Sequence, residues 1–142
     1  MLTEHDVYLL REGTHTRLYE KMGCQLRDRA AHFAVWAPNA RTVSVVGAFN
    51  EWNGAANPLK PRRDGSGIWE GALRGVARGD AYKYRIVSSR DGSVHDKADP
   101  FAFFAEAPSA TASRCWTLEY TWGDSEWMAR RRTANALRRA VM

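Results

Sequence analysis

VSVVGAFNEWNG, residues 43–54, decides how the rest of the chain is read. Val43, Ser44, Val45 and Val46 form the apolar start of a strand. Gly47 breaks it, at a place where a strand bulges or another backbone comes close. Phe49, Asn50, Glu51, Trp52 and Asn53 follow, and Gly54 closes the stretch. Asn and Gly directly behind an apolar run signal a turn. A tryptophan flanked by amide side chains therefore stands at the end of a buried strand. One face of a glucose ring carries only C–H bonds and can stack on an indole, while amides take the hydroxyls at its edge. Trp52, Asn50 and Asn53 form such a set. A tryptophan at a strand end also serves as core, its N–H reaching a backbone carbonyl, and spacing alone leaves both readings open.

On the N-terminal side, HFAVWA (32–37) alternates. Phe33 and Val35 share one face, and His32, Ala34 and Trp36 the other, as in a strand. Pro38 and Asn39 turn the chain, so this strand and the next, Arg41–Gly47, read as an antiparallel hairpin. On the C-terminal side, 54–67 is a loop rich in Pro and Gly, whose Lys60, Arg62 and Arg63 read as a solvated edge. IWEGAL (68–73) is a strand with Trp69, Gly71 and Leu73 on one face. AYKYRIV (81–87) alternates most clearly: Tyr82, Tyr84 and Ile86 against Lys83, Arg85 and Val87. Asp91-Gly92 is a hairpin turn. Phe101, Phe103 and Phe104 read as core or edge cover, and SRCWTL (113–118) as a closing strand with Trp116 buried. Short strands separated by turn chemistry make this an all-β sandwich.

The flanks differ in character. Residues 1–25 read as a leader packed on the domain through Leu9, Leu10, Leu18, Tyr19 and Met22, with a short helix over Thr16–Met22 ended by Gly23. Residues 119–142 read as a basic helix, capped at Asp124 or Ser125, with acid at its start and arginine toward its end. Trp127, Ala134 and Leu137 supply a weak apolar face. The sandwich between them spans 26–118.

The 142 residues are one domain's length. Their net charge is +5, and Arg130, Arg131, Arg132, Arg138 and Arg139 equal that excess. The body is near neutral and carries no nucleic-acid footprint. No apolar run reaches the length of a membrane span. Cys24 and Cys115 make no disulfide framework, and with no signal-peptide pattern a reducing cytoplasm is expected. The four histidines, His5, His15, His32 and His95, have no zinc-like spacing, so no metal or cofactor is expected. Glu51, Asp64, Asp91, Asp96 and Asp99 sit where turns are read, which is ordinary for Asp.

VVGAFNEWNG, with FAVWAPNA before it and KYRI and KADPFA after, resembles carbohydrate-binding module family 48. That is the immunoglobulin-like β-sandwich ahead of the catalytic barrel in glycogen branching and debranching enzymes, found also in the β-subunit of AMP-activated kinase. GTHTRLYEKMG (13–23) and WGDSEWMARR (122–131) resemble the segments that flank the module in bacterial 1,4-α-glucan branching enzymes. The likeness runs over about residues 6 to 137. It implies a glucan-binding pair, Trp52 and Lys83, and a structural role for the GTH segment. Glycogen-binding members carry a second tryptophan after the Asp-Gly turn. That place falls at Val94 here, so binding is expected to be weak, with a dissociation constant on the order of millimolar.

The resemblance also bears on catalysis. Glycoside hydrolases of the branching-enzyme family use an Asp nucleophile and a Glu acid/base from barrel strands, and the chain ends at ALRRAVM without them. No G-x-S-x-G, phosphate loop or activated Cys-His pair replaces them. The expectation is a non-catalytic module binding α-1,4-glucan (glycogen or maltooligosaccharide) and partnering a catalytic barrel. Its bare barrel-facing surface would make it prone to self-association. A stand-alone glycogen-associated adaptor is the alternative, and a small basic nucleic-acid-binding domain a third.

Overall fold

Two antiparallel sheets face each other across alternating side chains in the computed structural model, which describes residues 1–134. The first sheet runs in the order β1 (Gly23–Arg27), β2 (Ala30–Trp36), β5 (Ile68–Leu73) and β4 (Lys60–Pro61). The second is built on β6 (Ala81–Ser88). β3 (Ala40–Gly47), β7 (Val94–Lys97) and β9 (Ser113–Arg114) pair with it, and β8 (Phe104–Ala105) pairs with β9. The period-2 faces read from sequence meet in the middle. Phe33 and Val35, Trp69 and Leu73, Val43 and Val45, and Tyr82 and Tyr84 form one core. Each large apolar side chain buried there contributes about 1.5–3 kcal/mol.

The outer face of the first sheet is also covered. Ala34 and Ile68 point away from the main core and pack against Leu2, Val7 and Met22. Val7 is on α1 (Glu4–Glu12), which starts at a capping box. Thr3 Oγ1 accepts from the Asp6 amide, and Asp6 accepts from the Thr3 amide. The helix stops at Gly13, at φ 71°. The leader's helix therefore lies earlier than the sequence predicts. Thr16–Met22 holds only a 3-10 turn at Leu18–Glu20, and Gly23 opens a strand. The second helix, α2, spans Ser125–Ala134. Its Trp127 is exposed, while Leu137, Arg138 and Arg139 lie outside the described residues.

β2 and β3 form no hairpin. β2 pairs with β1 and β5, β3 with β6, so the Pro38-Asn39 turn crosses between sheets. Both edges of β2 were already taken, one of them by β1 through a tight turn at Asp28 and Arg29, both at positive φ. The Ala37 carbonyl accepts the Trp69 indole N–H at 3.0 Å, which pins the crossing.

Other expectations are corrected in detail. Arg62 is no solvated edge residue: its guanidinium bridges Asp64 and Glu70 and donates to the Leu2 carbonyl. The closing strand is two residues long, and Trp116 is half-buried between the Phe104 ring and the Arg78 guanidinium. Asp96 lies on β7 rather than in a turn.

Asp99 is a buried carboxylate that ties the segment after β7 to β6 and β9. The Tyr82 and Tyr84 hydroxyls donate to its Oδ2 at 2.6 and 3.1 Å, and the Phe101 amide donates to Oδ1. Its own amide donates to Ser113 Oγ. Burial pushes the Asp99 carboxyl above its ordinary pKa, against the pull of these hydrogen bonds.

Candidate carbohydrate-binding site

The loop after β3 is built from within. Gly47 is required by close approach, because a Cβ there would come within 2.4 Å of the Ala81 carbonyl oxygen and 2.5 Å of the Phe49 ring. A 3-10 turn, Ala48–Asn50, follows. The Asn50 side chain then stitches the loop to its base. Oδ1 accepts from the Gly47 amide, and Nδ2 donates to the Val45 carbonyl and to Asn57 Oδ1. Both amide protons are committed, so Asn50 builds the loop and has no donor left for a ligand.

Glu51 and Trp52 come next, at φ 54° and 58°. A left-handed backbone costs a non-glycine residue roughly 1–2 kcal/mol, and a bulky residue adopts it only where its surroundings impose it. Here they do. The Trp52 amide donates to the Gly47 carbonyl at 2.9 Å, and Arg85 Nη1 donates to the Trp52 carbonyl at 3.1 Å. Arg85 is itself locked by a two-pronged pair with Asp96, both contacts at 2.8 Å. This pairing holds the Asp96 carboxyl below its usual range. Gly54 leaves the arginine room, since a Cβ there would sit 2.8 Å from Arg85 Cδ. The loop thus presents the Trp52 ring 38% exposed.

The remaining expected residues fall nearby but are engaged differently. Asn53 is exposed, with Oδ1 accepting from the Ala55 amide. Lys83 lies on the outer face of β6, and its Nζ donates to Thr111 Oγ1 at 2.8 Å. Val94, in the place of the missing second tryptophan, is exposed on β7. Sequence reasoning missed the Arg85–Asp96 clamp. Its signal was only partial: a hairpin centred on Asp91-Gly92 would set Arg85 opposite Ala98 rather than Asp96, and the observed register, closed between Ser88 and Ser93, is what brings residues 85 and 96 opposite each other. Among the described residues no group of His, Cys, Asp or Glu converges as a metal site. No helix of the described residues is long and apolar enough to cross a membrane.

A two-sheet sandwich that presents an aromatic ring on a braced loop is the architecture of a small, non-catalytic carbohydrate-binding module. Residues 21–102 match the family model of carbohydrate-binding module 48, the isoamylase N-terminal domain, and the chain belongs to that family. It is 62% identical over 136 residues to a 1,4-alpha-glucan branching enzyme of Aromatoleum aromaticum, covering 96% of this chain and 21% of that protein. It is 56% identical over 138 residues to the branching enzyme of Albidiferax ferrireducens, covering 96% and 22%. The chain thus spans about a fifth of the length of the curated relatives it matches. The matched part is the carbohydrate-binding module, and these residues do not carry the catalytic barrel of those enzymes. Among solved structures, a Klebsiella pneumoniae pullulanase complexed with maltotriose superposes with a TM-score of 0.58 at 26% identity, covering 71% of this chain and 10% of that one. A putative alpha amylase from Salmonella typhimurium shares the fold, with a TM-score of 0.57 at 21% identity over 75% of this chain and 17% of that one.

Proposed function

We propose that this module holds α-1,4-glucan, as glycogen or maltooligosaccharide, for a branching enzyme of glycogen synthesis working in the cytoplasm. The observation that carries the reading is the Trp52 ring, kept in a strained, solvent-facing position by Arg85 and Asp96. Strain maintained by several interactions at a surface is a mark of a working site. Trp52 stacks a glucose ring, Asn53 offers its free amide N–H, and Lys83 lies two residues from Arg85 on the same strand face. The segments divide as leader 1–25, sandwich 26–118 and connector 119–142. One stack contributes about 1 kcal/mol beyond burial, which suits weak, repeated contact with a polymer.

The test is tryptophan fluorescence titrated with maltoheptaose and with glycogen, for the chain and for Trp52→Ala. A saturable change lost in the variant supports the site. No change up to about 50 mM sugar, the weak limit of useful affinity, removes it. Binding to a neutral glucan is insensitive to salt. A steep loss of binding on adding salt, with nucleic acid as ligand, would favour the basic nucleic-acid reading instead.

A second reading concerns partners. Phe104, Leu118, Tyr120, Trp122, Trp127 and Met128 are all exposed. Such a run is a docking surface for a protein, and a catalytic barrel like that of the relatives is the partner we assign to it. Left uncovered, it drives self-association. A monodisperse monomer at high concentration that binds no hydrophobic dye would contradict this.

A further inference from the structure

In the loop that displays Trp52, Asn53 is followed by Gly54, and that pair has a chemistry of its own. A backbone nitrogen can attack the side-chain carbonyl carbon of the asparagine before it and close a five-membered ring. The attack needs a nitrogen free of hydrogen bonds, no bulky group beside it, and a side chain that lies over it.

Asn53 meets all three needs. Among the described residues the Gly54 amide donates to no acceptor, and glycine has no Cβ to hinder the approach. Asn53 is exposed, and its Oδ1 accepts from the Ala55 amide at 2.9 Å. That bond is an Asx turn, which folds the side chain back over the Gly54 peptide. It also polarises the side-chain carbonyl and offers a donor to the oxyanion that forms during attack. The Arg85 guanidinium passes alongside, since a Cβ on Gly54 would lie 3.2 Å from Nη1. A cation there favours the deprotonated amide nitrogen.

The other asparagines lack one need or another. After Asn39, the Ala40 amide donates to the Ala37 carbonyl, and after Asn50 the Glu51 amide donates to the Ala48 carbonyl. Asn57 precedes Pro58, which has no N–H. Asn135 precedes an alanine. Asp64-Gly65 and Asp91-Gly92 share the glycine, but hydrogen bonds from Ser66 and Ser93 keep these carboxyls ionised, and an ionised carboxylate resists a nucleophile.

We infer that Asn53-Gly54 is a self-modification site, where the chain converts an amide to a carboxylate without an enzyme and loosens the displayed loop. The Gly54 nitrogen gives up its proton and bonds to Asn53 Cγ. The Cγ–Nδ2 bond breaks, and Nδ2 leaves with that proton as ammonia. The cyclic imide then takes up one water. Opening on the side-chain arm leaves an aspartate, and opening on the backbone arm leaves an iso-aspartate, with one more methylene in the main chain. No atom changes oxidation state. Either product replaces the Nδ2 donor with an anion beside Arg85. It competes with Asp96 and with the Trp52 carbonyl for that guanidinium, so the left-handed turn at Glu51 and Trp52 loses its brace. The chemistry is independent of the glucan reading, and its effect on sugar affinity rests on that reading.

The test ages the 142-residue chain in mildly alkaline buffer, folded and in urea, and maps it by peptide mass spectrometry with fragmentation that separates aspartate from iso-aspartate. The amide-to-acid mass gain is expected at Asn53 in the folded chain, ahead of every other asparagine and with both isomers present. Conversion in urea but not in the folded chain overturns the inference, because the turn then protects the site. Conversion led by another asparagine overturns it too. Asn53→Ser, whose hydroxyl can still take the Ala55 amide, should lose the early mass gain. Asn53→Asp supplies one product directly: its Trp52 amide should exchange several-fold faster, with β2 amides unchanged. An unaltered Trp52 rate in both Asn53→Asp and the aged chain overturns the loosening. Fluorescence titration with maltoheptaose completes the set. Affinity that falls in the aged chain and holds in aged Asn53→Ser supports the inference. If the fresh chain binds no sugar, the glucan reading falls, while mass and exchange still decide the modification.

Discussion

The two outer faces of the sandwich are made from the same kind of alternating strand and put to opposite uses. Behind the first sheet, Ala34 and Ile68 are buried under the leader, so this sheet packs apolar side chains on both sides. Behind the second, Lys83 and Arg85 of β6 stand out toward solvent, paired with Thr111 and Asp96. The difference is one of residue type at the outward positions. Small and branched apolar residues recruit a covering helix. Long cations stay partly solvated and can serve as braces for a loop. A covered face stabilises, while the uncovered one braces the strained loop that we propose as the glucan site.

Breaking the covered face should have the largest effect. Ile68 is fully buried, and Ile68→Ala should cost about 3 kcal/mol of unfolding free energy, seen as a lower urea midpoint. Next is the buried carboxyl between the sheets. An Asp titrates near 3.9 when unfolded, and Asp99 titrates higher in the fold. The native state therefore binds its proton more tightly. Its stabilising contribution is complete below about pH 4 and is lost as pH rises through the folded value. Asp99→Asn should lower stability by about 1–2 kcal/mol in acid, and the gap to the parent should narrow as pH rises. Urea titrations between pH 3 and 7 would show the opposite trend if the sign were wrong. Asp96, held low by Arg85, moves the other way: its contribution is lost as pH falls.

A smaller effect separates the faces cleanly. The GTH segment acts through His15, whose Nε2 lies 3.0 Å from Asp6 Oδ1. Burial disfavours the charge on Asp6, but hydrogen bonds from Thr3 and His15 and the nearby Lys21 outweigh it and hold the carboxyl well below its usual range. His15→Ala should cost about 1 kcal/mol. Hydrogen exchange should quicken over Glu4–Glu12 and leave β6 unchanged. Equal quickening in β6 would mean that the leader and the second sheet unfold as one unit.

How much of this was legible follows the same division. Alternation in HFAVWA and AYKYRIV set the faces of β2 and β6 correctly, because burial has a period of two. Partner choice was not legible. Nothing in GCQLR announces β1, and its turn at Asp28-Arg29 lacks the Asn-Gly signature of a tight hairpin. Without β1 in view, β2 seemed free to pair with β3. The leader helix was missed because Thr3 and Asp6, three residues apart, form an unusual capping box with Asp in place of Glu. At the candidate site, spacing left Trp52 open between a core side chain and a displayed one, and the fold exposes it. Asn50 was not readable as the loop's internal brace, since an amide's partners depend on the folded path of the chain. Lys83 was placed on the right face, but which cation reaches Trp52 depends on sheet twist, and it is Arg85.

That last point gives the most local test. Arg85→Lys keeps the charge and removes the fork that grips Asp96 while reaching the Trp52 carbonyl. On a half-exposed surface the loss of global stability should be small, below about 0.5 kcal/mol. The left-handed turn at Glu51 and Trp52, however, loses its outer restraint. The Trp52 amide, bonded to the Gly47 carbonyl, should exchange with solvent several-fold faster while amides in β2 and β5 keep their rates. Glucan affinity should fall with it, because a ring that must be re-ordered on binding gives back part of its stacking energy. Lys83→Ala is the matched comparison, a lost cation on the same strand face that leaves the Trp52 carbonyl clamped. If both variants speed exchange equally, the loop is held by the sheet as a whole. If only Arg85→Lys does, the open face owes its displayed tryptophan to one guanidinium.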